Sequence, residues 1–244
     1  MLESVKTMTS GVLYLVATPI GNLGDITLRA LEVLKTVDLI AAEDTRRTTI
    51  LLHHYNIKKP LISYYEEIEE RRSGELLVHL LNGQKIALVT DAGTPLLSDP
   101  GYRLVEKAIR QDVRVEAIPG ASAILTALSA SGLATDRFVF EGFLPRKKGR
   151  QTRLRELACE PRTIVLFEAA NRLLKTLQEL VEYFGDRQAV CARELTKIHE
   201  EYRRGKLSDI LAYYSKKTPK GEIVIVMAGK SKTTLINPEF SQVK

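Results

Sequence analysis

The chain has 244 residues, 44% of them hydrophobic, and is long enough to bury the core of one large or two medium domains. Its two cysteines, Cys159 and Cys191, lie far apart, which argues against a disulfide framework and a cysteine-rich zinc site. A formal net charge of +6 and an isoelectric point near 9.2 favour a polyanionic partner. Residues 1–11 lack the apolar segment of a signal peptide and no apolar run is long enough to span a membrane, so we expect a cytoplasmic protein with no membrane partner.

Short apolar strands alternate with amphipathic helices through the first half of the chain. The first helical pattern follows Asp25, which we predict as its N-cap. Such alternation predicts a parallel sheet that is covered by helices on both faces. The predicted strands are 12–17, 38–42, 61–63, 86–90 and 113–118, and the predicted helices are 26–37, 48–55, 66–81, 102–110 and 121–130.

The pattern changes near Gly132, where we expect a domain boundary. We therefore predict an α/β domain at 1–132, a second α/β domain at 133–230 and a tail at 231–244. A cleft between two such domains is a preferred place for a small-molecule site. The predicted strands of the second domain are 138–143, 163–167, 189–192 and 222–227, and its predicted helices are 172–184 and 207–214.

The loop that follows the strand at 86–90 is the most informative segment of the sequence. It reads Asp-Ala-Gly-Thr-Pro-Leu-Leu-Ser-Asp-Pro-Gly over 91–101. Ligands bind beyond the carboxyl ends of parallel strands, and small residues there let the backbone approach a ligand. We therefore interpret 91–101 as a binding loop, the alternative being a plain connection between strand and helix.

Motifs of several other site classes are missing. The sequence has no Gly-x-x-x-x-Gly-Lys-Ser/Thr phosphate loop, no His-Glu-x-x-His pair and no Gly-x-Ser-x-Gly turn. The loop at 17–25 has glycines only at Gly21 and Gly24 and lacks the first glycine of a dinucleotide-binding turn. His53 and His54 are better explained as solvated helix residues than as metal ligands, and we expect no metal site.

Three charged segments stand out. Residues 43–47 place two carboxylates and two arginines at the end of a strand, and residues 193–197 form a similar group after a later strand. Such packed charges are typical of polar pockets. Residues 146–155 contain six cations and no acid, a pattern that favours contact with phosphates over a solvated linker.

Seven short motifs occur in order along the chain, at 14–23, 42–46, 91–95, 99–101, 119–120, 141–145 and 192–197. They closely resemble those of the bacterial 16S rRNA cytidine 2′-O-methyltransferases, which belong to the tetrapyrrole (precorrin) methylase superfamily. The resemblance covers roughly residues 11–229. It implies the two-domain α/β fold of class III methyltransferases, with S-adenosylmethionine in the interdomain cleft, and a homodimer that acts on the decoding centre of the small ribosomal subunit.

The resemblance implies the cofactor contacts, and the three charged segments provide candidates for catalysis and for RNA binding. A ribose hydroxyl is a poor nucleophile while protonated, so a base helps its methylation, and the residues alone do not rank the four acceptors that we consider. The predicted cofactor contacts are Asp91, Gly93, Thr94, Ser122, Ala123, Phe167 and Ala192. The predicted catalytic residues are Glu43, Asp44, Glu194 and Lys197, and the predicted contacts with 16S rRNA are Arg46, Arg146, Lys147, Lys148, Arg150 and Arg193.

The chain departs from the family at one motif. The family has a Tyr/Phe-Glu-x-x-His-Arg pattern, and this sequence has Asn171 in place of the histidine. We therefore expect no base at this position and consider Glu168 and Arg172 for structural or RNA contacts. Two alternatives are a carbon methylase of tetrapyrroles with the same fold, which the basic run disfavours, and a non-catalytic ribosome-binding module, which the polar strand ends disfavour.

Overall fold

The computed structural model describes residues 11–217 and 219–231. Within this part of the chain, the contacts separate two compact units between Ser122 and Ala123, and each unit contains one five-stranded sheet. The domain boundary that the sequence places after Gly132 stays a prediction. Apart from Ser231, the tail predicted at 231–244 lies outside the described residues.

The first unit alternates strands and helices. Its strands are β1 (Val12–Val16), β2 (Leu39–Ala42), β3 (Leu61–Ser63), β4 (Lys85–Val89) and β5 (Arg114–Ile118), and its helices are α1 (Leu28–Thr36), α2 (Thr45–His54), α3 (Glu69–Leu81) and α4 (Tyr102–Arg110). The strand order is β3-β2-β4-β1-β5 and all the pairs are parallel, which confirms the predicted parallel sheet.

Apolar side chains cover both faces of this sheet. Leu34 of α1 and Leu52 of α2 pack in the cluster on one face, while Leu76 of α3 and Leu104 of α4 pack in the cluster on the other. A strand that is buried on both faces has a continuous apolar run rather than alternating polar and apolar residues. Strand β4 has such a run at 86–89. Each fully buried leucine contributes roughly 1.5–3 kcal/mol relative to exposure, so these faces hold the carboxyl ends of the strands in fixed positions.

The second unit has a mixed sheet. Its strands are β6 (Phe138–Phe143), β7 (Thr163–Ala169), β8 (Gln188–Arg193), β9 (Glu201–Lys206) and β10 (Glu222–Met227), and its helices are α5 (Ala123–Ser129), α6 (Arg150–Ala158), α7 (Leu173–Phe184) and α8 (Leu207–Ser215). In the order β6-β7-β10-β8-β9, β6 and β7 are parallel and the other neighbours are antiparallel. No described helix has both the length and the apolar character needed to cross a membrane.

Several helix starts differ from the prediction, and two of them are set by side-chain caps. The N-cap of α1 is Thr27, whose hydroxyl accepts the Ala30 N–H at 3.1 Å, because Asp25 belongs to a short 3-10 turn at Leu23–Asp25. Helix α2 begins at Thr45 rather than at residue 48, because the Asp44 side chain accepts the Arg46 N–H at 2.9 Å and caps it. Both caps fix the direction in which the chain leaves a strand end.

Candidate functional site

Polar side chains meet at the carboxyl ends of three neighbouring strands of the first unit. Thr18 lies just beyond β1, Glu43 just beyond β2 and Thr90 just beyond β4. Because the sheet is parallel and β4 lies between β2 and β1, these ends share one edge. The structure therefore brings together the charged segment at 43–47 and the loop at 91–101.

Hydrogen bonds join the ends of β2 and β4. The Thr90 hydroxyl donates to Glu43 Oε2 at 2.8 Å, and the Asp91 N–H reaches the same oxygen at 3.3 Å. In return, Asp91 Oδ1 accepts the Asp44 N–H at 3.0 Å. The Arg47 Nε lies 3.4 Å from Asp91 Oδ2. The Glu43 and Asp91 carboxylates are thus held by partners on both strand ends.

Gly93 folds the loop that follows β4. Its N–H donates to the Thr18 carbonyl at 3.0 Å and its carbonyl accepts the Thr18 N–H at 2.9 Å. Its φ of 87° is one that residues with a side chain rarely adopt, and an added Cβ would lie 3.3 Å from Cγ2 of Ile20. The Thr94 hydroxyl donates to the Ala121 carbonyl at 3.3 Å. Both backbone groups of Gly93 therefore bind the protein itself, and the residue shapes the loop.

The carboxyl groups of this edge differ in acidity. Burial, with repulsion from Glu43 and Asp91, raises the pKa of Asp99 to about 6. Burial and the charge of Glu43 also raise the pKa of Asp91. By contrast, hydrogen bonds from Arg46 lower the pKa of Asp44 to about 2. Asp99 therefore titrates much closer to neutral pH than an ordinary carboxyl.

A pocket of about 130 Å³ lies beside these strand ends. Pockets for drug-sized ligands range over about 300–1,000 Å³, so this one accommodates only part of a nucleoside-sized molecule. Its lining combines apolar and polar groups: Thr18, Pro19, Leu23, Arg47, Thr48, Ile50, Leu51, Thr90 and Asp91.

In the second unit, Phe167 and Ala192 lie on one face of the sheet. Both residues are in register with Val224 of β10, which lies between their strands. The Phe167 ring is 5.0 Å from the ring of Phe140 and 5.6 Å from that of Phe143, measured between centroids. The structure thus places Phe167 in a partly exposed aromatic group, two strands from Ala192. Of the remaining predicted cofactor residues, Ser122 precedes α5 and Ala123 is the first residue of that helix.

Ion pairs occupy the charged segment that follows β8. Glu194 Oε1 accepts the Glu222 N–H and the Lys197 ammonium, each at 3.0 Å, and Lys197 Nζ is also 3.0 Å from Glu222 Oε2. Burial raises the pKa of Glu194, but these hydrogen bonds outweigh burial, and the net effect is a lowered pKa. Burial lowers the pKa of Lys197, but the hydrogen bonds to the two carboxylates outweigh burial, and the net effect is a raised pKa. At neutral pH, Lys197 is therefore a protonated group and a poor acceptor of a further proton.

Two of the arginines predicted to bind RNA serve the fold of the second unit. Arg150 is buried, and its guanidinium contacts Glu179 at 2.6 and 2.8 Å, the Thr176 hydroxyl at 2.7 Å and a backbone carbonyl at 3.0 Å. Arg193 donates to Glu201 at 3.0 Å and to two backbone carbonyls at 3.2 Å each. Since these guanidinium groups already have protein partners, we leave both out of the proposed RNA surface.

The other predicted RNA contacts are exposed. Arg46 binds Asp44 through two nitrogens, at 3.0 and 2.7 Å, with its side chain largely in solvent. Arg146, Lys147 and Lys148 are exposed and form no ion pair within the part of the chain that the structure describes. These three cations precede α6 and are free to meet an anion.

The segment around Asn171 has a structural role. Glu168 is buried and accepts from the Thr176 hydroxyl, from the Ala169 N–H at 2.8 Å and from Arg172 at 3.2 Å. Arg172 also donates to the Leu144 carbonyl at 2.8 Å. Glu168 and Arg172 therefore hold the turn from β7 into α7, while Asn171 is exposed.

A sequence model of the family described as Tetrapyrrole (Corrin/Porphyrin) Methylases matches residues 12–211. The chain belongs to the tetrapyrrole methylase family. This match includes the first sheet and four of the five strands of the second, and it confirms the family resemblance and the α/β fold class stated from the sequence.

Within this family, the chain is similar to proteins named ribosomal RNA small subunit methyltransferase I. The protein of Thermotoga maritima is 51% identical over 220 residues, which cover 90% of this chain and 99% of that protein. The Synechocystis protein is 55% identical, with 95% of this chain and 83% of the relative covered. The protein of Escherichia coli O157:H7 is 48% identical, with 91% and 79% covered.

Solved structures of other proteins share the fold of this chain. A uroporphyrin-III C-methyl transferase from Thermus thermophilus, complexed with S-adenyl homocysteine, has a TM-score of 0.65 at 22% identity and covers 88% of this chain and 97% of its own. A diphthine synthase has a TM-score of 0.69 at 17% identity, with 89% and 90% covered. At these identities the likeness establishes the fold alone.

Sequence reasoning missed three polar residues of the first-unit edge. Thr18, Thr90 and Asp99 all lie in segments that carry family motifs or adjoin them, but none is nominated for the site. The available signal was their position, since each follows a strand whose end faces the same edge. Their roles become visible only through the hydrogen bonds and the burial described above.

Proposed function

We propose that this chain is an S-adenosylmethionine-dependent methyltransferase that modifies the ribose 2′-oxygen of a cytidine in the decoding centre of 16S rRNA. The observation that carries the proposal is the similarity to the small subunit rRNA methyltransferases, at 48–55% identity over 90–95% of this chain. The polar strand ends of the first unit supply groups for binding and proton transfer. From the family resemblance we also infer a homodimer located in the cytoplasm.

The chemistry of the first-unit edge fits S-adenosylmethionine. Glu43, Asp91 and Asp99 supply negative charge, which favours the sulfonium and amino groups of that cofactor over an anionic ligand. Leu23 and Ile50 supply apolar walls in the adjacent pocket. The structural relative that is complexed with S-adenyl homocysteine supports this choice of cofactor.

Each unit contains residues that we propose as cofactor contacts. In the first unit it consists of Asp91, Gly93, Thr94 and Ser122, with Gly93 acting through the shape of the loop. In the second unit, Ala123, Phe167 and Ala192 stay predictions that rest on the family resemblance. S-adenosylmethionine, when bound, supplies the electrophilic methyl group.

The protein must hold the ribose oxygen in line with that methyl group and accept its proton. Positioning of this kind supplies roughly 7–11 kcal/mol of the barrier. Of the four predicted catalytic residues, we propose Glu43 as the acceptor, because within the described residues its carboxylate is bound by neutral donors, Thr90 and the Asp91 N–H, and by no cation. Asp44, Glu194 and Lys197 are each bound to an opposite charge, which favours their charged forms.

The proposed RNA surface comprises Arg46 and the exposed cations Arg146, Lys147 and Lys148. Cations without carboxylate partners release counterions when they bind phosphates, which makes the affinity depend on salt. Substitution of Arg146, Lys147 and Lys148 by glutamine should therefore weaken RNA binding and leave the affinity for S-adenosylmethionine unchanged.

The proposal is tested by transfer of labelled methyl groups from S-adenosylmethionine to unmodified small ribosomal subunits, to naked 16S rRNA and to a tetrapyrrole. We expect label on the RNA, as a gap in an alkaline hydrolysis ladder, because a 2′-O-methyl group blocks cleavage at the adjacent phosphate. Glu43→Gln should slow the transfer. Label on a base would contradict the ribose assignment, and label on the tetrapyrrole alone would contradict the RNA substrate.

A further inference from the structure

The outer strand of the second sheet carries arginines that are stacked on tyrosines. The guanidinium of Arg203 lies 4.5 Å from the centre of the Tyr213 ring, and Lys217 Nζ lies 5.8 Å from the same ring. Next to Arg203 along β9, the Arg204 guanidinium lies 4.9 Å from the Tyr202 ring. Since β9 is an edge strand, its outer backbone edge and these cations border solvent.

Arg193 on the neighbouring strand is ion-paired with Glu201, and Arg204 donates to the Ala130 carbonyl. Within residues 11–217 and 219–231, Arg203, Arg204 and Lys217 form no ion pair. The nearby Glu201 carboxylate is already bound by Arg193 at 3.0 Å and by the Tyr213 hydroxyl at 2.6 Å. An exposed arginine that is stacked on a ring keeps its N–H edge available for a phosphate.

The loop that joins β8 to β9 presents an apolar side chain on a constrained backbone. Glu194 and Thr196 have φ values of 50° and 64°, a left-handed conformation that costs free energy outside glycine. The loop keeps this shape because Lys197 bridges two carboxylates and Arg193 binds the His199 carbonyl. In the same loop, Ile198 is 97% exposed.

We propose that the β8–β9 hairpin is a second RNA-binding element. In this arrangement Arg203 and Lys217 contact phosphates, and Ile198 packs against an unstacked base. Single-stranded RNA is bound by this combination of cations and apolar or aromatic surfaces. The inference rests on the proposed RNA substrate. The competing explanation is that the charges only protect an exposed edge strand from pairing with another chain.

Salt titration of the affinity for small ribosomal subunits tests the cations. The double variant Arg203→Gln, Lys217→Gln should reduce the log–log salt slope by about two, because each lost phosphate contact removes about one unit. The matched control is Arg110→Gln, Arg114→Gln, which also removes two exposed arginines, but ones that are ion-paired with Glu106 and Glu116. An unchanged slope in the β9 variant, or an equal change in the control, overturns the proposal.

A separate variant tests the loop. Ile198→Ala should weaken subunit binding roughly fivefold at every salt concentration without changing the slope, because an apolar contact releases no counterions. Ile109→Ala, at another exposed isoleucine, should have no effect. If Ile198→Ala changes the oligomeric state in sedimentation and not the RNA affinity, the loop is an interface between copies and the proposal fails. If the wild-type protein itself does not bind RNA, the proposed function fails instead.

Discussion

At the end of β4 in the first unit, Glu43, Asp91 and Asp99 repel one another, and of these carboxylates only Asp91 has a cation within the described residues. At the end of β8 in the second unit, Glu194 and Glu201 each bind a lysine or an arginine. Both regions are polar strand ends, and the sequence nominates both for catalysis. They differ in whether the charges are compensated.

That difference separates two uses of charge. Crowding and burial raise the pKa of Asp99 and Asp91, so these groups hold protons more readily than ordinary carboxyls. Burial acts in the same direction at Glu194 and Glu201, but hydrogen bonds outweigh it and lower the pKa of both. Uncompensated charge costs stability and is found preferentially at functional sites. We infer that the first-unit edge performs chemistry and that the ion pairs of the second unit maintain its shape.

The largest expected effect concerns a compensated pair. Arg150→Gln leaves Glu179 without its cation and should lower the free energy of unfolding by about 3 kcal/mol, because a partner lost from a largely buried ion pair leaves a charge uncompensated. Urea unfolding measures this change. Lys147→Gln, three residues earlier and exposed, should leave the stability unchanged. Equal effects of the two substitutions would contradict the division between structural and free cations.

A smaller effect is expected at the uncompensated edge. Thr90→Val removes the hydroxyl that donates to Glu43 at 2.8 Å while preserving the shape of the side chain. The rate of methyl transfer should fall roughly tenfold, which corresponds to about 1.4 kcal/mol for one hydrogen bond to a charged group. Thr90→Ser keeps the hydroxyl and should keep most of the rate. Full activity of the valine variant would remove this hydrogen bond from the mechanism.

The sequence predicts the first sheet well, since its strands are mostly apolar and its helices have clear periodicity. Strand β3 and helix α4 have the predicted bounds, Leu61–Ser63 and Tyr102–Arg110. Strand β9 escapes prediction because Glu-Tyr-Arg-Arg-Gly-Lys shows no apolar alternation. Its strand conformation depends on pairing with β8 and on contacts with α8, which are tertiary effects.

The site is predictable only in part, for a related reason. Both charged segments are visible in the sequence, but the strand order places Thr90 beside Glu43, a residue that is 47 positions away. Arg150 likewise belongs to a run without acids, yet its partner Glu179 comes from α7, 29 positions later. Local composition reveals which charges are present, and tertiary contacts decide which of them are compensated.

Lys197→Met tests the structural role of the pairs in the second unit. Lys197 is partly exposed, so its loss should lower the free energy of unfolding by less than about 1 kcal/mol. Methyl transfer at saturating RNA should stay within roughly threefold of wild type, and hydrogen exchange should increase in residues 194–200. A general acid or base contributes about 10²–10⁴-fold to a rate, so a hundredfold loss would instead place Lys197 at the reacting atoms.

The subtlest expected effect is the pH dependence of stability at Asp99. Its pKa is about 6 in the folded protein, against an ordinary value of 3.8. Between these values the folded state binds more protons than the unfolded state, so the stability from this group is complete below 3.8 and is lost as the pH rises through 6. Asp99→Asn stays neutral and avoids this loss. The melting temperature of the variant relative to wild type should therefore increase from pH 4 to pH 7.

Asp186→Asn provides a control of opposite sign. Hydrogen bonds from Ser208 at the start of α8, the larger one from its backbone N–H, lower the pKa of Asp186. Its contribution is therefore present above the ordinary pKa of an aspartate and is lost as the pH falls. As the pH rises, wild type should therefore gain stability relative to Asp186→Asn, whereas it should lose stability relative to Asp99→Asn. If the melting temperatures of both variants changed with pH as that of wild type does, the pKa values of these carboxyls would not distinguish crowded sites from hydrogen-bonded ones.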